Sequence, residues 1–435
     1  MEDRIEPFFD DLLLNNMTDL ILTAKQAKKA SLDLAVMVTD EKNRLLLSIA
    51  DELEKNRAQL FAVNAEEGET ARKACVPQAF TDRLTLNDSR FKEMVEGVRK
   101  VAMLNDPVGR IFEGRVLENG LKLYKKSVPL GVVGVIYESR PNVTVDIAAL
   151  CLKSGNACIL RGGSECFKTN RFLHSVIEQT LSRHHVNINA VSFVDNTDRE
   201  QVSQMLTLDR YIDVLIPRGG EKLQRRCQKE SSIPVIIGGF GISHIFVDES
   251  ADLNRSLMIV DNAKTQKPSA CNSLDTLLVH ESVAARFIPM LCEHFKTKKV
   301  AIVAHGRALD LCGDYPYLEK GDETYFDVEF LALRFNLKIV ENVQAAAEHM
   351  VVHNASHSDS ILSNSNENIR YFVGHANSAC VYVNAPTSFS DGAQFGLGAE
   401  VGISTQKMHP RGPMGLEEIT TYKWLIEGDG QTRPK

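Results

Sequence analysis

Several things are scarce in this chain, and each scarcity removes a class of function. No apolar run approaches the roughly 20 residues needed to span a bilayer, so a membrane-spanning helix is not expected. Basic charge is not in excess: 50 Lys and Arg stand against 57 Asp and Glu, for a net charge of -7. A chain so balanced lacks the basic footprint of unspecific nucleic-acid binding. No two of the nine cysteines stand at C-x-x-C spacing, and their number is odd. Most are therefore expected to be free thiols, packed as small apolar residues in a reducing compartment. The N-terminus, MEDRIEPFFDDLLLNN, begins acidic, whereas a secretory leader begins basic and then turns apolar. A cytoplasmic protein is expected. There is no internal repeat and no low-complexity segment.

Some familiar motifs are also missing. The glycines of PLGVVGVIY are not followed by the G-K-[ST] of a phosphate loop. GLGAEVG (396–402) has G-x-G-x-x-x-G spacing and no βαβ unit around it, so it is a poor dinucleotide fingerprint. His349, His353 and His357 recur every four residues, but no glutamate makes them H-E-x-x-H. No metal site is expected.

What is present is a long α/β alternation. At 435 residues the chain should hold two or three domains. Its first hundred residues show helical periodicity: Leu45, Ile49 and Leu53 form one stripe, and Phe91, Met94, Val95 and Val98 form another. Strand-like runs then alternate with amphipathic stretches. The spacing predicts strands over 132–137, 157–160, 190–194, 212–217 and 233–237, with helices over 143–155, 167–184, 199–208 and 221–230. That pitch means a parallel sheet with crossover helices. A second series follows, with strands over 274–280, 337–340, 359–363 and 379–384.

Three polar stretches interrupt these series. KTQKPSACN (264–272) opens the second one and carries Cys271 beside two lysines, Lys264 and Lys267, that could lower a thiol pKa. A packed thiol is the plain alternative. SRPNVT (139–144) places Arg140 and Asn142 between a strand and a helix. Asn142 there could cap the helix or donate its amide to an oxyanion. LRGGSE (160–165) and PRGG (217–220) both follow strands. Arg161, Gly162, Gly163, Ser164 and Glu165, and likewise Arg218, Gly219 and Gly220, offer bare N–H groups, fixed charge and a helix start. Two such turns at carboxyl ends of one sheet suit a phosphate-bearing ligand.

These stretches, with YIDVLIPRGG and FGLGAEVGISTQKMHPRGPMGLEEITTYKW, resemble the γ-glutamyl phosphate reductase family of the aldehyde dehydrogenase superfamily, over about residues 20 to 430. The resemblance is to the free-standing bacterial form, without a kinase domain. It implies an α/β, aldehyde dehydrogenase-like fold: two doubly wound α/β domains with a β-hairpin/C-terminal oligomerisation extension. The expected boundaries are 1–117 and 138–254 for the cofactor domain, 255–410 for the catalytic domain, and 118–137 with 411–435 for the extension. Asn119-Gly120 reads as a two-residue turn in that hairpin. A homodimer or homotetramer is implied.

The resemblance also implies roles. Cys271 stands at the catalytic cysteine and Asn142 at the oxyanion asparagine. Arg161 to Glu165 meet the adenosine side of NADPH, Arg218 to Gly220 lie beneath its pyrophosphate, and Glu329 holds the nicotinamide ribose. Gly238 falls in Ile237-Gly238-Gly239, where hydrolytic relatives keep a water-activating glutamate; none stands there. Arg140, Lys264, Lys267 and Arg411 are candidates for the substrate phosphate, and Arg161, Ser164 and Lys168 for the 2′-phosphate. The implied reaction is NADPH-dependent reduction of L-glutamyl 5-phosphate to L-glutamate 5-semialdehyde, with release of phosphate, through a Cys271 thioester. Glutamate 5-kinase would supply the substrate. A coenzyme-A-acylating aldehyde dehydrogenase is the alternative reading.

Overall fold

The structure, a computed structural model, describes residues 19–74, 81, 83–138, 140–238, 241–353 and 355–433. It divides into two compact units. The first is Met1–Ile236 with Leu397–Val401 and Gly415–Lys435, and the second is Ile237–Gly396 with Gly402–Met414.

Among the described residues the first unit begins with four long helices, Asp19–Leu34, Thr39–Lys55, Arg57–Lys73 and Asp88–Met103. The periodic stripes face inward as read: Leu45, Ile49 and Leu53 are buried, as are Phe91, Met94, Val95 and Val98. Asn87 starts the fourth helix by accepting the Arg90 N–H, an N-cap worth about 1 kcal/mol. Strands β1 (Ile111–Val116) and β2 (Lys122–Pro129) then form an antiparallel hairpin. Its tip is a three-residue loop, Glu118-Asn119-Gly120, rather than a two-residue turn. The Gly120 N–H bonds the Leu117 carbonyl, and the Leu117 N–H bonds the Leu121 carbonyl, both at 2.8 Å. Gly120 has φ +86°, while Asn119 is not among the residues of positive φ. A type I′ turn needs positive φ at both central residues, so this is a type I turn closed by a glycine bulge.

Strands β3 (Val132–Tyr137), β4 (Ala157–Arg161), β5 (Val191–Phe193) and β6 (Val214–Arg218) make a parallel sheet in the order β5-β4-β3-β6. β3 and β4 are buried at every residue, as expected of strands covered on both faces. The extension expected over 118–137 therefore ends earlier. β3 pairs with β4 and β6, so residues 132–137 belong to this sheet. Residues 233–237 do not form a strand either. They make one parallel bridge, Leu215 to Val235. Pro234 lends a carbonyl to the Leu215 N–H but has no N–H to continue a ladder.

The second unit holds a seven-stranded parallel sheet: β7 (His244–Val247), β8 (Thr276–His280), β9 (Ala301–Ala304), β10 (Leu318–Lys320), β11 (Arg334–Val340), β12 (Ser358–Leu362) and β13 (Cys380–Val383). Their order is β10-β9-β11-β8-β7-β12-β13. One face packs on Phe287, Ile288, Leu291, Phe295 and Phe335, the other on Phe246, Met350 and Phe372. The expected domain boundary at 254/255 moves to 236/237. β7 pairs with β8 and β12, so the segment before residue 254 belongs to this sheet. A short antiparallel pair follows, β14 (Gly402–Ser404) and β15 (Gly412–Met414). The last strand, β16 (Thr420–Glu427), pairs with β2 over its full length.

Candidate active site

In the first unit, β3 and β6 are neighbours, while β4 and β5 lie beyond β3 on its other side. β4 and β5 are added on one side of β3 and β6 on the other, so the strand order reverses there and the carboxyl ends of the parallel β3 and β6 flank a switch point, where open α/β sheets bind ligands. Arg218 ends β6, and the segment after β3 leads through Glu138 and Arg140 to Asn142. Arg140 is exposed.

Asn142 does not cap its helix. Pro141 occupies the cap position with helical φ and ψ, and Asn142 is the first residue of Asn142–Lys153. A proline suits a helix start because the N–H it lacks would have no partner there. The Asn142 Nδ2 instead donates to Asp146 Oδ2 at 2.7 Å. Burial pushes the Asp146 carboxyl up to about 6. The bond from Asn142 and the Arg218 charge oppose this, and Glu400 adds to it.

The two Arg-Gly-Gly turns differ. In the first, Gly162 is a packing residue: a Cβ would stand 2.4 Å from the Asn170 amide. Arg161 turns inward. Its Nη2 donates to the Thr197 carbonyl at 2.7 Å and its Nη1 to the Gly162 carbonyl at 3.0 Å. Its buried Nε has no partner, and burial lowers its pKa. Gly163 is buried, Glu165 half-buried and Ser164 exposed. Lys168 is paired with Glu66 at 2.6 Å. In the second turn, Gly220 precedes the helix Glu221–Glu230, and its N–H already holds an anion, the Glu138 carboxylate, at 3.0 Å. A Cβ on Gly219 would lie 2.6 Å from the same carboxylate. Arg218 faces Glu400 at 3.8 Å.

In the second unit, Cys271 sits in the second of two successive tight turns, formed by the Ala270 N–H to the Lys267 carbonyl and the Ser273 N–H to the Ala270 carbonyl, each 3.0 Å. Among the described residues there are eight cysteines. Seven are buried, and Cys271 alone is partly exposed. The residues beside it are pinned. Ser243 Oγ donates to the Cys271 carbonyl at 3.4 Å. Asn272 Nδ2 donates to the Ser388 and Ser390 carbonyls, and its own carbonyl accepts from Thr387 Oγ1 at 2.7 Å.

Beneath this loop lies a charged interior. Lys264 is fully buried, and its Nζ donates to the Leu274 carbonyl at 2.7 Å. It was expected to meet a substrate phosphate, but it faces the interior. Burial pushes it down to about 8, opposed by Asp275 and Glu329. Asp275 is also buried, and its carboxyl is pushed up to about 6. It accepts the Phe330 N–H at 3.1 Å and the Ser243 N–H at 3.4 Å. It thus ties the Cys271 loop to the segment carrying half-buried Glu329. Lys267 is exposed. Arg411 bonds the Asn377 carbonyl, and its buried Nε has no partner. Gly238 bridges Ser404, and Gly239 lies outside the described residues.

Sequence reasoning missed Glu138, Asp146 and Asp275. Asp146 had a signal: N-x-x-x-D puts both side chains on one helix face. Glu138 and Asp275 had none, because their partners are backbone groups brought close by folding.

Sheet order and a cysteine loop of this kind define a class, and comparison with known proteins agrees. The chain belongs to the aldehyde dehydrogenase family, whose family model matches residues 14–305, and within it to the γ-glutamyl phosphate reductases. It is 54% identical to the γ-glutamyl phosphate reductase of Vibrio parahaemolyticus, over 94% of this chain and 98% of that one. It is 51% identical to that of Tolumonas auensis, over 95% and 99%. The crystal structure of the Thermotoga maritima γ-glutamyl phosphate reductase superposes with a TM-score of 0.91 at 40% identity, covering 96% of this chain and 100% of that chain. An acetylating aldehyde dehydrogenase from Geobacillus thermoglucosidasius shares the fold, with a TM-score of 0.69 at 17% identity over 98% and 100%.

Proposed function

We propose that the chain reduces L-glutamyl 5-phosphate to L-glutamate 5-semialdehyde with NADPH, in the second step of L-proline biosynthesis. The relatives' names support the substrate. The observation that carries the chemistry is the partly exposed Cys271 in a loop pinned from both sides.

In this reading the Cys271 Sγ attacks the acyl carbon. Asn142 Nδ2 and the Cys271 backbone N–H donate to the oxyanion. The C–O bond to phosphate breaks, phosphate leaves with the bonding electrons, and a thioester remains on Sγ. NADPH, held by the residues assigned below, would supply a hydride for this thioester. The thiohemiacetal then expels the Cys271 thiolate and releases the aldehyde. Splitting the reduction at a covalent stage replaces one hard step with two easier ones. The glycine at 238 offers no carboxylate to activate water against the thioester.

The chain's residues fit a dinucleotide. Arg161 brings a buried donor without a partner, and Ser164 an exposed hydroxyl. The Gly220 N–H is an anion donor that now holds Glu138. We assign Arg161 to Glu165 to the adenosine side, Arg218 to Gly220 and Gly238 to the pyrophosphate side, and Glu329 to the nicotinamide ribose. Lys267, Arg411 and Arg140 are assigned to the substrate phosphate. We also assign the β1-β2-β16 sheet to self-association. It exposes Ile111, Tyr422, Trp424 and Ile426, an apolar set that suits a second copy. A cytoplasmic location and supply by glutamate 5-kinase follow from the same reading. No described helix is long and apolar enough to cross a membrane.

The test is Cys271→Ser, assayed as phosphate-dependent oxidation of the semialdehyde with and without coenzyme A. The expected loss is at least ~10³-fold in kcat, with unchanged NADPH affinity and thermal unfolding. The wild type should respond to phosphate and not to coenzyme A. Retained activity above that level would remove Cys271 from the reaction.

A further inference from the structure

We infer that Asp146 is a positioning residue: it fixes which end of the Asn142 amide is presented to the reacting acyl group. The inference rests on the proposed oxyanion role of Asn142 and deepens it. A side-chain amide has a donor end and an acceptor end of nearly the same shape, exchanged by a half-turn about its terminal bond. An oxyanion needs the donor end. Nothing in Asn142 alone selects it.

The helix supplies the selection. Asp146 lies four residues further along, on the same face, and its Oδ2 accepts from Asn142 Nδ2 at 2.7 Å. An ionised carboxylate only accepts. Were the amide turned over, its carbonyl oxygen would meet a carboxylate oxygen at contact distance. The carboxylate therefore holds the nitrogen end toward itself. Nδ2 carries two hydrogens in the amide plane; Asp146 takes one and leaves the other for a substrate oxygen.

The surroundings make this lock dependent on protonation. The charged groups that bear on Asp146 are Arg218 at the end of β6 and Glu400 in the segment 397–401. The helix Asp88–Met103 approaches with Gly97, where a Cβ would stand 3.9 Å from Asp146 Oδ1. Burial raises the carboxyl to about 6. Above that pH Asp146 is a pure acceptor and the amide is locked. Below it the acid form can donate to the amide oxygen as readily as accept from the nitrogen, and the lock is lost. Activity should fall on the acid side through this group.

The test compares the wild type, Asp146→Asn, Asn142→Ala and the double variant in the full-length enzyme, measuring kcat, KM, NADP affinity and the pH profile. Asp146→Asn keeps the size of the side chain but can meet either end of the amide. It should lower kcat by roughly tenfold or more, up to the ~10²- to 10³-fold of a lost oxyanion donor. KM and NADP affinity should hold within about twofold, since the effect lies in the transition state. The acid limb near pH 6 should disappear. The double variant should be no slower than Asn142→Ala, because Asp146 acts only through that amide. Asn142→Ala should lose the same limb, which carries the test even if Asp146→Asn does not fold. An unchanged kcat and acid limb in Asp146→Asn, beside a slow Asn142→Ala, would overturn the inference. So would losses that multiply in the double variant. An Asn142→Ala enzyme of normal kcat would instead overturn the oxyanion reading itself.

Discussion

Two polar regions of this chain are built in opposite ways. At the carboxyl ends of β3 and β6 the partners are carboxylate side chains: Asp146 for the Asn142 amide, Glu138 for the Gly220 N–H, Glu400 for Arg218. Around Cys271 the partners are backbone groups and buried side chains. Asn272 holds the 388–390 carbonyls, Asp275 holds two N–H groups, and Lys264 holds the Leu274 carbonyl. Partners of the first kind can be exchanged for a ligand's groups at little cost. Those of the second kind cannot, because each buried group left without a partner costs about 1–3 kcal/mol. The first construction suits binding and release, and the second suits holding one sulfur still.

Removing Asp275 should therefore show the largest effect on stability. Asp275→Ala leaves the Ser243 and Phe330 N–H groups without their acceptor and buried Lys264 with Glu329 in place of two neighbouring carboxylates. The expected loss is about 2–5 kcal/mol, read from urea unfolding. A loss below about 1 kcal/mol would mean the region is not braced as described.

A pH measurement sharpens the same contrast. His349 is buried in the second unit among His244, His353, His305 and Lys338, and desolvation with those charges lowers its pKa from 6.5 to about 2. It stays neutral in the fold, while the unfolded chain takes up a proton below 6.5. Its contribution is complete above 6.5 and is lost as pH falls toward 2. Asp146 and Asp275, whose pKa values are raised, act in the opposite sense, so the comparison is with His349→Gln, which leaves them in place. Between roughly pH 7.5 and 5.5 the wild type should lose about 1 kcal/mol more than the variant. Equal slopes would place His349 in contact with water.

The smallest effect belongs to the first region. Glu138→Gln removes the carboxylate that holds the Gly220 N–H, the group proposed above to meet a cofactor phosphate. NADPH should bind about three- to tenfold more tightly, on the order of 1 kcal/mol, with unfolding unchanged. Weaker binding would show that Glu138 holds the cofactor rather than competing with it.

The alternation of strands and helices was readable because periods of 2 and 3.6 leave plain marks on VVGVIY and FKTNRFLHSVIEQTLSR. Strand neighbours were not. β7 follows the first series in sequence but lies between β8 and β12, and no local pattern records that. β9 and β10, four and three residues long, were missed. Of the proposed site, the sequence singled out residues, Cys271 and Asn142 among them, but not the bonds they make. Lys264 reads as a surface base in KTQKP, yet its helix turns it inward; Asn142 reads as a cap, yet Pro141 takes that place.

The central claim is a thioester on Cys271. Its most direct test is to incubate the enzyme with L-glutamate 5-semialdehyde and NADP, without phosphate, then quench and map the adduct by mass spectrometry. A single hydroxylamine-labile glutamyl adduct should form on Cys271 and vanish when phosphate is added. An adduct on another residue, or none while NADPH is produced, would contradict the account.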